Sequence, residues 1–188
     1  MNVPIDISGI TLKTQRLTLR PWRQEDLDDF FEYASVDGVG QMAGWLPHES
    51  KDITQMILDS FITHRKTFAL EYEGKVIGSL GIENYKEDEF PELDGLSGRS
   101  IGYVLSKAYW GKGLMPEAVS AVLRYLFRDA GLDFVLVSHY DFNRQSRRVI
   151  EKSGFRYTKT IQLQTRYNTT EDTLVYLLKK EEWEDAEA

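Results

Sequence analysis

Cysteine is absent from this chain of 188 residues. Without thiols it forms no disulfide, offers no thiolate to a metal and has no cysteine nucleophile. Long hydrophobic runs are absent as well: none approaches the roughly 18 residues that cross a membrane, and residues 1–6 lack the basic and apolar segments of a signal peptide. Excess positive charge is missing too, because the formal net charge is −7, which argues against broad nucleic-acid binding. These absences predict a cytoplasmic protein that binds neither membranes nor nucleic acids.

Histidine is scarce, and nothing in the chain indicates a metal site or a domain boundary. His48, His64 and His139 are scattered and form no His-Glu-x-x-His motif, so no metal is expected. No linker, repeat or low-complexity tract divides the chain, and its length allows a core of its own. We therefore expect a single domain over residues 1–188.

Hydrophobic periodicity predicts strands that alternate with helices. Strands are expected at residues 12–19, 68–72, 75–82, 101–105, 134–137 and 174–178, the first of them ending before Pro21. Helices are expected after Asp26, after the candidate N-cap Ser50, before Gly131 and after Asn143. The apolar face of the second helix would be Ile53, Met56, Ile57 and Phe61. A hairpin followed by strand–helix alternation implies a mixed α/β sheet.

A polar loop at residues 86–98 carries a concentration of acidic side chains, namely Glu87, Asp88, Glu89, Glu92 and Asp94. Together with the net charge of −7, this loop favours a cationic or weakly charged ligand at the open side of the sheet.

Residues 110–118 read Trp-Gly-Lys-Gly-Leu-Met-Pro-Glu-Ala and stand between an apolar strand and a helical pattern. Glycines at such a junction let several backbone N–H groups point the same way at a helix N-terminus, which is an arrangement that binds phosphate. The motif is not a mononucleotide P-loop, and Pro116 stands where a dinucleotide fingerprint needs its third glycine. Taken alone, Gly111 and Gly113 also fit a simple tight turn.

Residues 143–155 read Asn-Arg-Gln-Ser-Arg-Arg-Val-Ile-Glu-Lys-Ser-Gly-Phe. This pattern predicts a helix that is capped by Asn143 and ends at Gly154. Together the two stretches resemble motifs A and B of the GNAT superfamily of acetyl-coenzyme A-dependent N-acetyltransferases. They are most similar to the branch that acetylates the N-terminal alanine or serine of ribosomal proteins. The resemblance extends from about Leu12 to Trp183, and it includes residues 17–22 and 77–81.

The resemblance implies a GNAT-like α/β fold: a mixed, mostly antiparallel central sheet, splayed near its middle, with helices on both faces. It also implies acetyl-coenzyme A (acetyl-CoA) as the cosubstrate, and no metal. The coenzyme-binding residues carried over are Tyr103, Val104, Leu105, Gly111, Lys112, Gly113, Leu114, Met115, Asn143 and Ser146. The pyrophosphate would lie on the N–H groups of residues 111–115, and the pantetheine arm beside residues 103–105. Asn143 is explained equally well as a plain helix cap.

The catalytic residues implied are Ser146 and Glu83. Ser146 resembles the residue that gives a proton or a hydrogen bond to the departing thiolate, with simple helix capping as the alternative; Tyr140 is a remote substitute. The branch often uses a glutamate after motif B as the base, but residues 161–167 contain none. Glu83 and His139 are candidates, and a solvated carboxylate and a packing histidine are their alternatives.

The expected reaction is acetyl transfer from acetyl-CoA to a primary amine, with a protein or peptide N-terminus as the expected acceptor. A small-molecule amine acetyltransferase and a non-catalytic acyl-CoA-binding module are the alternatives. The sequence leaves open whether the protein is a monomer or a homodimer. Of Arg144, Arg147 and Arg148, at least two are expected to be ordinary surface residues, although the cluster stands where the 3′-phosphate of the coenzyme would lie.

Overall fold

The computed structural model describes residues 1–187 of the chain. Its strands are β1 Leu12–Lys13, β2 Leu17–Pro21, β3 Thr67–Tyr72, β4 Lys75–Glu83, β5 Gly98–Leu105, β6 Phe134–Tyr140, β7 Arg156–Gln164 and β8 Thr170–Lys179. Its α-helices are α1 Leu27–Ala34, α2 Lys51–His64, α3 Leu114–Arg124, α4 Arg144–Lys152 and α5 Lys180–Glu187. Among residues 1–187, no helix combines the length and the apolar character needed to cross a bilayer.

The strands form one sheet in the order β1-β2-β3-β4-β5-β6-β8-β7. Every neighbouring pair is antiparallel except β5 with β6. That parallel pairing covers only the segment from Gly98 to Ile101 on β5. Beyond it, residues 102–105 pair with β4, whereas residues 138–140 of β6 pair with β8. The sheet therefore splays open between β5 and β6, which confirms the predicted fold class.

Helices cover both faces of the sheet because the strands bury alternate side chains on each side. On one face, Ala118 and Val122 of α3 and Leu126 of the π-helical turn that follows it join the main core with strand residues such as Leu19 and Phe68. On the other face, Phe30 of α1 and Leu58 of α2 pack against the sheet residue Val76. This sandwich fixes the N-terminus of α3 directly beyond the end of β5.

Two details of the first half differ from the sequence-based prediction. The strand expected at residues 12–19 is a small hairpin, because the Thr14 N–H donates to the carbonyl of Leu17 and turns the chain. Pro21 is the last residue of β2 rather than a residue beyond it. It pairs with β3 at a point that β1 does not reach, so its missing N–H costs no hydrogen bond to β1.

The second helix is present, but its predicted apolar face is wrong in part. The Ser50 hydroxyl accepts the N–H of Ile53, as expected for an N-cap. However, Ile53 and Met56 are 41% and 72% exposed, whereas Thr54 and Leu58 are fully buried. Thr54 satisfies its hydroxyl with His48 Nδ1 at 2.8 Å, so a polar residue occupies a core position.

The acidic loop at residues 86–98 packs over the face of β6 and β8. Phe90 and Leu93 are buried there in a cluster with Phe134 and Val175. One of its carboxylates, that of Glu87, accepts the backbone N–H of Asn2 at 2.6 Å. The loop is therefore tied down by its apolar residues and by the N-terminal segment.

Candidate active site

The glycine turn lies between β5 and α3, and both glycines have a left-handed backbone. Gly111 has φ = 74° and Gly113 has φ = 75°, a region in which a Cβ is strained. A Cβ on Gly111 would meet no heavy atom of residues 1–187 within 4 Å, so none of them fills the space above it. This open, Cβ-free surface at a helix N-terminus fits a phosphate group that approaches the backbone.

Arg16 and Glu117 hold this turn from behind. Arg16 donates through Nε to Glu117 Oε2 at 2.8 Å and through Nη1 to the carbonyl of Lys112 at 2.9 Å. Glu117 also accepts the backbone N–H of Arg16 at 2.8 Å and the hydroxyl of Thr14. The turn between β1 and β2 thereby clamps the glycine turn to the first turn of α3.

A cavity of about 290 Å³ begins at the glycine turn and runs beside the free part of β5. Its lining includes most of the predicted coenzyme-binding residues, namely Tyr103, Val104, Leu105, Gly111, Gly113, Leu114, Met115, Asn143 and Ser146. We call it the coenzyme cavity. Lys112 is the exception: it does not line the cavity, and its ammonium lies 5.0 Å from the centre of the Tyr109 ring.

Helix α4 places two cations along the same cavity. Arg148 and Lys152 are four residues apart, so they lie on one side of the helix, and both line the cavity. Arg147 instead pairs with Glu151 at 2.8 Å on the surface. Arg148 is thus the member of the arginine cluster that faces a site able to accept a phosphate.

A second cavity, of about 180 Å³, occupies the splay between β5 and β6. We call it the splay cavity. It shares a set of residues with the coenzyme cavity, namely Met42, Ala43, Tyr103, Asn143 and Ser146. The rest of its lining comes from the two strand ends and their neighbours: Ile101, Gly102, Ser138, His139, Tyr140, Leu163 and Thr173. The two cavities therefore adjoin at these shared residues, among which are Tyr103 and Ser146.

Tyr103 and Ser146 contact each other at this junction. The Tyr103 hydroxyl lies 3.0 Å from Ser146 Oγ and 3.3 Å from the Ser146 carbonyl. Burial raises the pKa of Tyr103, and the hydrogen bond with Ser146 offsets only part of that rise. The tyrosine is therefore a neutral hydroxyl at physiological pH and can act as a donor.

Asn143 acts as a helix cap. Its Oδ1 accepts the N–H of Ser146 at 3.0 Å, and its Nδ2 donates to the carbonyl of Met42 at 3.0 Å. Its amide thus fixes the start of α4 and ties the helix to the segment before α2. Asn143 lines both cavities, but its side-chain oxygen is engaged within the protein.

His139 lines the splay cavity, yet its ring is held in the core. Nδ1 contacts the carbonyl of Tyr140 at 2.8 Å and Nε2 contacts the Tyr176 hydroxyl at 3.1 Å. Because a carbonyl only accepts hydrogen bonds, Nδ1 carries a proton, and in the neutral ring Nε2 accepts the tyrosine O–H. Both ring nitrogens are engaged within the protein, which favours the alternative interpretation that His139 is a packing residue and not a base.

Glu83, the other candidate base, lines neither cavity. It ends β4 opposite Ser100 and forms an ion pair with Lys66. The acidic loop at residues 86–98 also contributes nothing to the lining of either cavity, because its apolar residues hold it over β6 and β8. Neither the Glu83 assignment nor the expected steering role of the loop gains support from these locations.

One segment that lines both cavities, the turn Gly40–Ala43, which we call the roof segment, was not predicted from the sequence. Met42 and Ala43 belong to a short 3₁₀ turn between α1 and α2. The β7–β8 connection holds that turn: the Arg166 N–H donates to the Gly44 carbonyl at 2.8 Å, and the Tyr167 hydroxyl donates to the Gln41 carbonyl. The available signal was the glycine spacing at positions 38, 40 and 44 between two predicted helices.

Comparisons with known proteins agree with this architecture. Residues 16–156 match the family model described as an acetyltransferase (GNAT) domain. The "Uncharacterized N-acetyltransferase p20" of Bacillus licheniformis is 30% identical over 154 residues, which cover 78% of this chain and 82% of that protein. YdaF of Bacillus subtilis, described provisionally as a ribosomal N-acetyltransferase, is 30% identical over 61% of this chain and 60% of its own length.

A solved structure shares the fold: RimJ of Mycobacterium smegmatis, in complex with CoA-disulfide, superposes with a TM-score of 0.75 at 20% identity. The superposition covers 95% of this chain and 91% of that one. The chain therefore belongs to the GNAT family of N-acetyltransferases. The reaction of that family is acetyl transfer from acetyl-CoA to an amine.

Proposed function

We propose that this protein transfers the acetyl group of acetyl-CoA to the free α-amine of a peptide or protein. The observation that carries the proposal is the meeting of two cavities at Tyr103 and Ser146, one of which begins at the glycine turn. The pyrophosphate would lie on the N–H groups of the turn, with Arg148 and Lys152 beside the phosphates of the nucleotide. The acetyl group would then lie at the junction, where an amine in the splay cavity can reach it.

The lining of the splay cavity favours an amine that is already partly neutral. Apart from His139, whose ring nitrogens are engaged, its side chains are uncharged. An α-amine has a pKa of about 7.7–8.0, whereas a lysine amine has a pKa of about 10.4. An α-amine can therefore attack near neutral pH after losing its proton to water, whereas a lysine would require a strong base. This difference supports an N-terminal acceptor.

The transfer needs three things from this chain. The amine nitrogen must be held against the acetyl carbon, the sulfur must receive a hydrogen bond as the carbon–sulfur bond breaks, and bulk water must be kept away. The roof at Met42 and Ala43 and the uncharged splay cavity serve the first and third needs. The Ser146 hydroxyl, which lies at the junction beside that of Tyr103, serves the second.

A thiol-release assay tests the proposal. Acetyl-CoA is supplied with pairs of peptides of equal charge: one with a free α-amine and no lysine, the other with a blocked N-terminus and one lysine. Since the chain has no cysteine, the thiol reagent reports only on released CoA. We expect turnover with the free α-amine and at least tenfold less with the lysine peptide, in line with their amine pKa values.

Three results would contradict the proposal in different ways. Preference for the lysine peptide would overturn the α-amine acceptor, and turnover with small amines but no peptide would indicate a small-molecule acetyltransferase. Coenzyme binding by calorimetry without turnover on any amine would indicate an acyl-CoA-binding module. A single domain over residues 1–188, a cytoplasmic location and a monomeric or homodimeric state remain predictions.

A further inference from the structure

The hydroxyl pair of Tyr103 and Ser146 has a direction that matters for the reaction. A neutral tyrosine has one proton, and it can donate that proton either to Ser146 Oγ at 3.0 Å or to the Ser146 carbonyl at 3.3 Å. If it donates to Oγ, the proton of Ser146 is free to point into the cavity. If it donates to the carbonyl, Ser146 must give its own proton to the tyrosine oxygen to keep their contact.

The geometry favours the first arrangement. The contact with Oγ is the shorter of the two, and it lies within the usual range for hydroxyl pairs. The Ser146 backbone is fixed as well, because its N–H is held by Asn143 Oδ1. Burial keeps Tyr103 protonated by raising its pKa. A tyrosine that donates to a serine also strengthens the serine as a donor, because hydrogen bonds in a chain polarise one another.

We propose that Tyr103 is a positioning residue that orients the Ser146 hydroxyl to donate to the thiolate of the departing coenzyme. The proposal rests on the proposed function. In the transfer, the amine nitrogen forms a bond to the acetyl carbon and the carbon–sulfur bond breaks. The electron pair of that bond leaves on sulfur, and the extra proton of the amine passes to water. Tyr103 supplies no proton to the products; it holds the Ser146 proton towards the sulfur.

The test is the pKa of the CoA thiol when CoA is bound, because a hydrogen bond to the thiolate lowers it. The thiolate is followed by ultraviolet difference spectroscopy with the protein in excess, and the chain adds no thiol signal because it has no cysteine. We expect Ser146→Ala to raise the bound thiol pKa by about one to two units, the equivalent of one hydrogen bond to a charged group. We expect Tyr103→Phe to raise it comparably, and the double variant to raise it no further than Ser146→Ala alone.

Tyr33→Phe is the matched control because it removes a buried tyrosine hydroxyl that lies outside both cavities. It should leave the thiol pKa at the wild-type value. Any effect of the Arg148 and Lys152 charges on the thiol pKa is common to all the variants, because none of them changes these residues. Calorimetry with CoA is run first on each protein, and we expect affinities within about threefold of the wild type, because a positioning residue need not contribute to ground-state binding.

Each of the following outcomes would overturn the proposal. An unmoved thiol pKa in Tyr103→Phe, or a shift that adds to that of Ser146→Ala, would show that Tyr103 does not act through the serine. A tenfold loss of CoA affinity in Tyr103→Phe would make the tyrosine a binding residue instead. Failure of the wild-type protein to bind CoA would overturn the proposed function itself, and calorimetry separates that result from the others.

Discussion

Gly102 occupies the position on β5 at which the strand leaves its parallel partner β6. A Cβ there would meet no heavy atom within 4 Å, and the residue lines the splay cavity. We predict that Gly102→Val folds normally, binds CoA as the wild type does, and loses about tenfold or more in kcat/KM for the amine, because its methyl groups occupy acceptor space. Steady-state kinetics at saturating acetyl-CoA, together with calorimetry, measure both effects.

Gly78→Ala, on the neighbouring strand β4, is the matched control for the stability of Gly102→Val. A Cβ at that position would lie 2.4 Å from the carbonyl oxygen of Val104, so the backbone itself must move. Gly78→Ala should therefore lower the melting temperature, which Gly102→Val should not. An unchanged kcat/KM in Gly102→Val would show that the acceptor does not enter the splay.

At the scale of elements, the contact between the β1–β2 turn and α3 depends on the ionised carboxylate of Glu117. Burial raises the pKa of this carboxyl, but the hydrogen bonds from Thr14 and from Arg16, together with the charge of Arg16, outweigh it and leave the pKa below its ordinary value of 4.5. A lowered pKa in the folded state adds stability above the ordinary value, and this stability is lost as the pH falls through the folded value.

We predict that Glu117→Gln is less stable than the wild type near neutral pH and that the difference shrinks between about pH 5 and pH 3. Urea unfolding at several pH values gives both free energies. Other carboxyls with lowered pKa values, such as those of Asp6 and Asp133, titrate alike in both proteins, so the difference isolates Glu117. A difference that stays constant down to pH 3 would mean that the carboxylate contributes through packing rather than charge.

The elements that the sequence predicted are those with a strong local signal. The hairpin of β3 and β4 has apolar strands and a Glu73-Gly74 turn with two positive φ angles, and α3 has a continuous buried face. By contrast, β7 is an edge strand, and Tyr157 on it is 56% exposed. Ile161 and Leu163 alternate with polar residues over a stretch too short to predict the whole strand, so its pairing with β8 defines it.

The residues of the candidate site fall into the same two groups, those with a local sequence signal and those without one. The coenzyme cavity is built largely from short contiguous motifs, which a sequence displays directly, and nine of the ten predicted coenzyme-binding residues line it. The splay cavity is assembled from six elements of the fold, and two of its residues, Met42 and Thr173, lie 131 positions apart in the sequence. The contact between Tyr103 and Ser146 spans 43 positions. Contacts of this kind leave no local pattern and need the fold itself.

At the scale of the whole molecule, bound coenzyme would join α3, α4, β5 and the roof segment, since all of them line one cavity. A ligand that binds only the folded state stabilises it by about 2.7 kcal/mol at 100 times its Kd. For a domain of this size, that free energy corresponds to a rise in melting temperature of about 5–10 °C. We predict a rise of that size with CoA.

Gly111→Ala and Gly74→Ala show whether the glycine turn causes this rise. Both glycines have positive φ angles, 74° and 79°, so each alanine should cost about 1–2 kcal/mol of backbone strain and lower the melting temperature without ligand. Of the two, Gly111 borders the coenzyme cavity, and Gly74 lies in the distant β3–β4 turn. At one fixed CoA concentration, Gly74→Ala should keep the full rise and Gly111→Ala should lose most of it, because its Cβ enters the open space that the phosphate would occupy. Equal rises in the two variants would mean that the phosphates bind elsewhere in the molecule, and that the left-handed glycine serves only the turn.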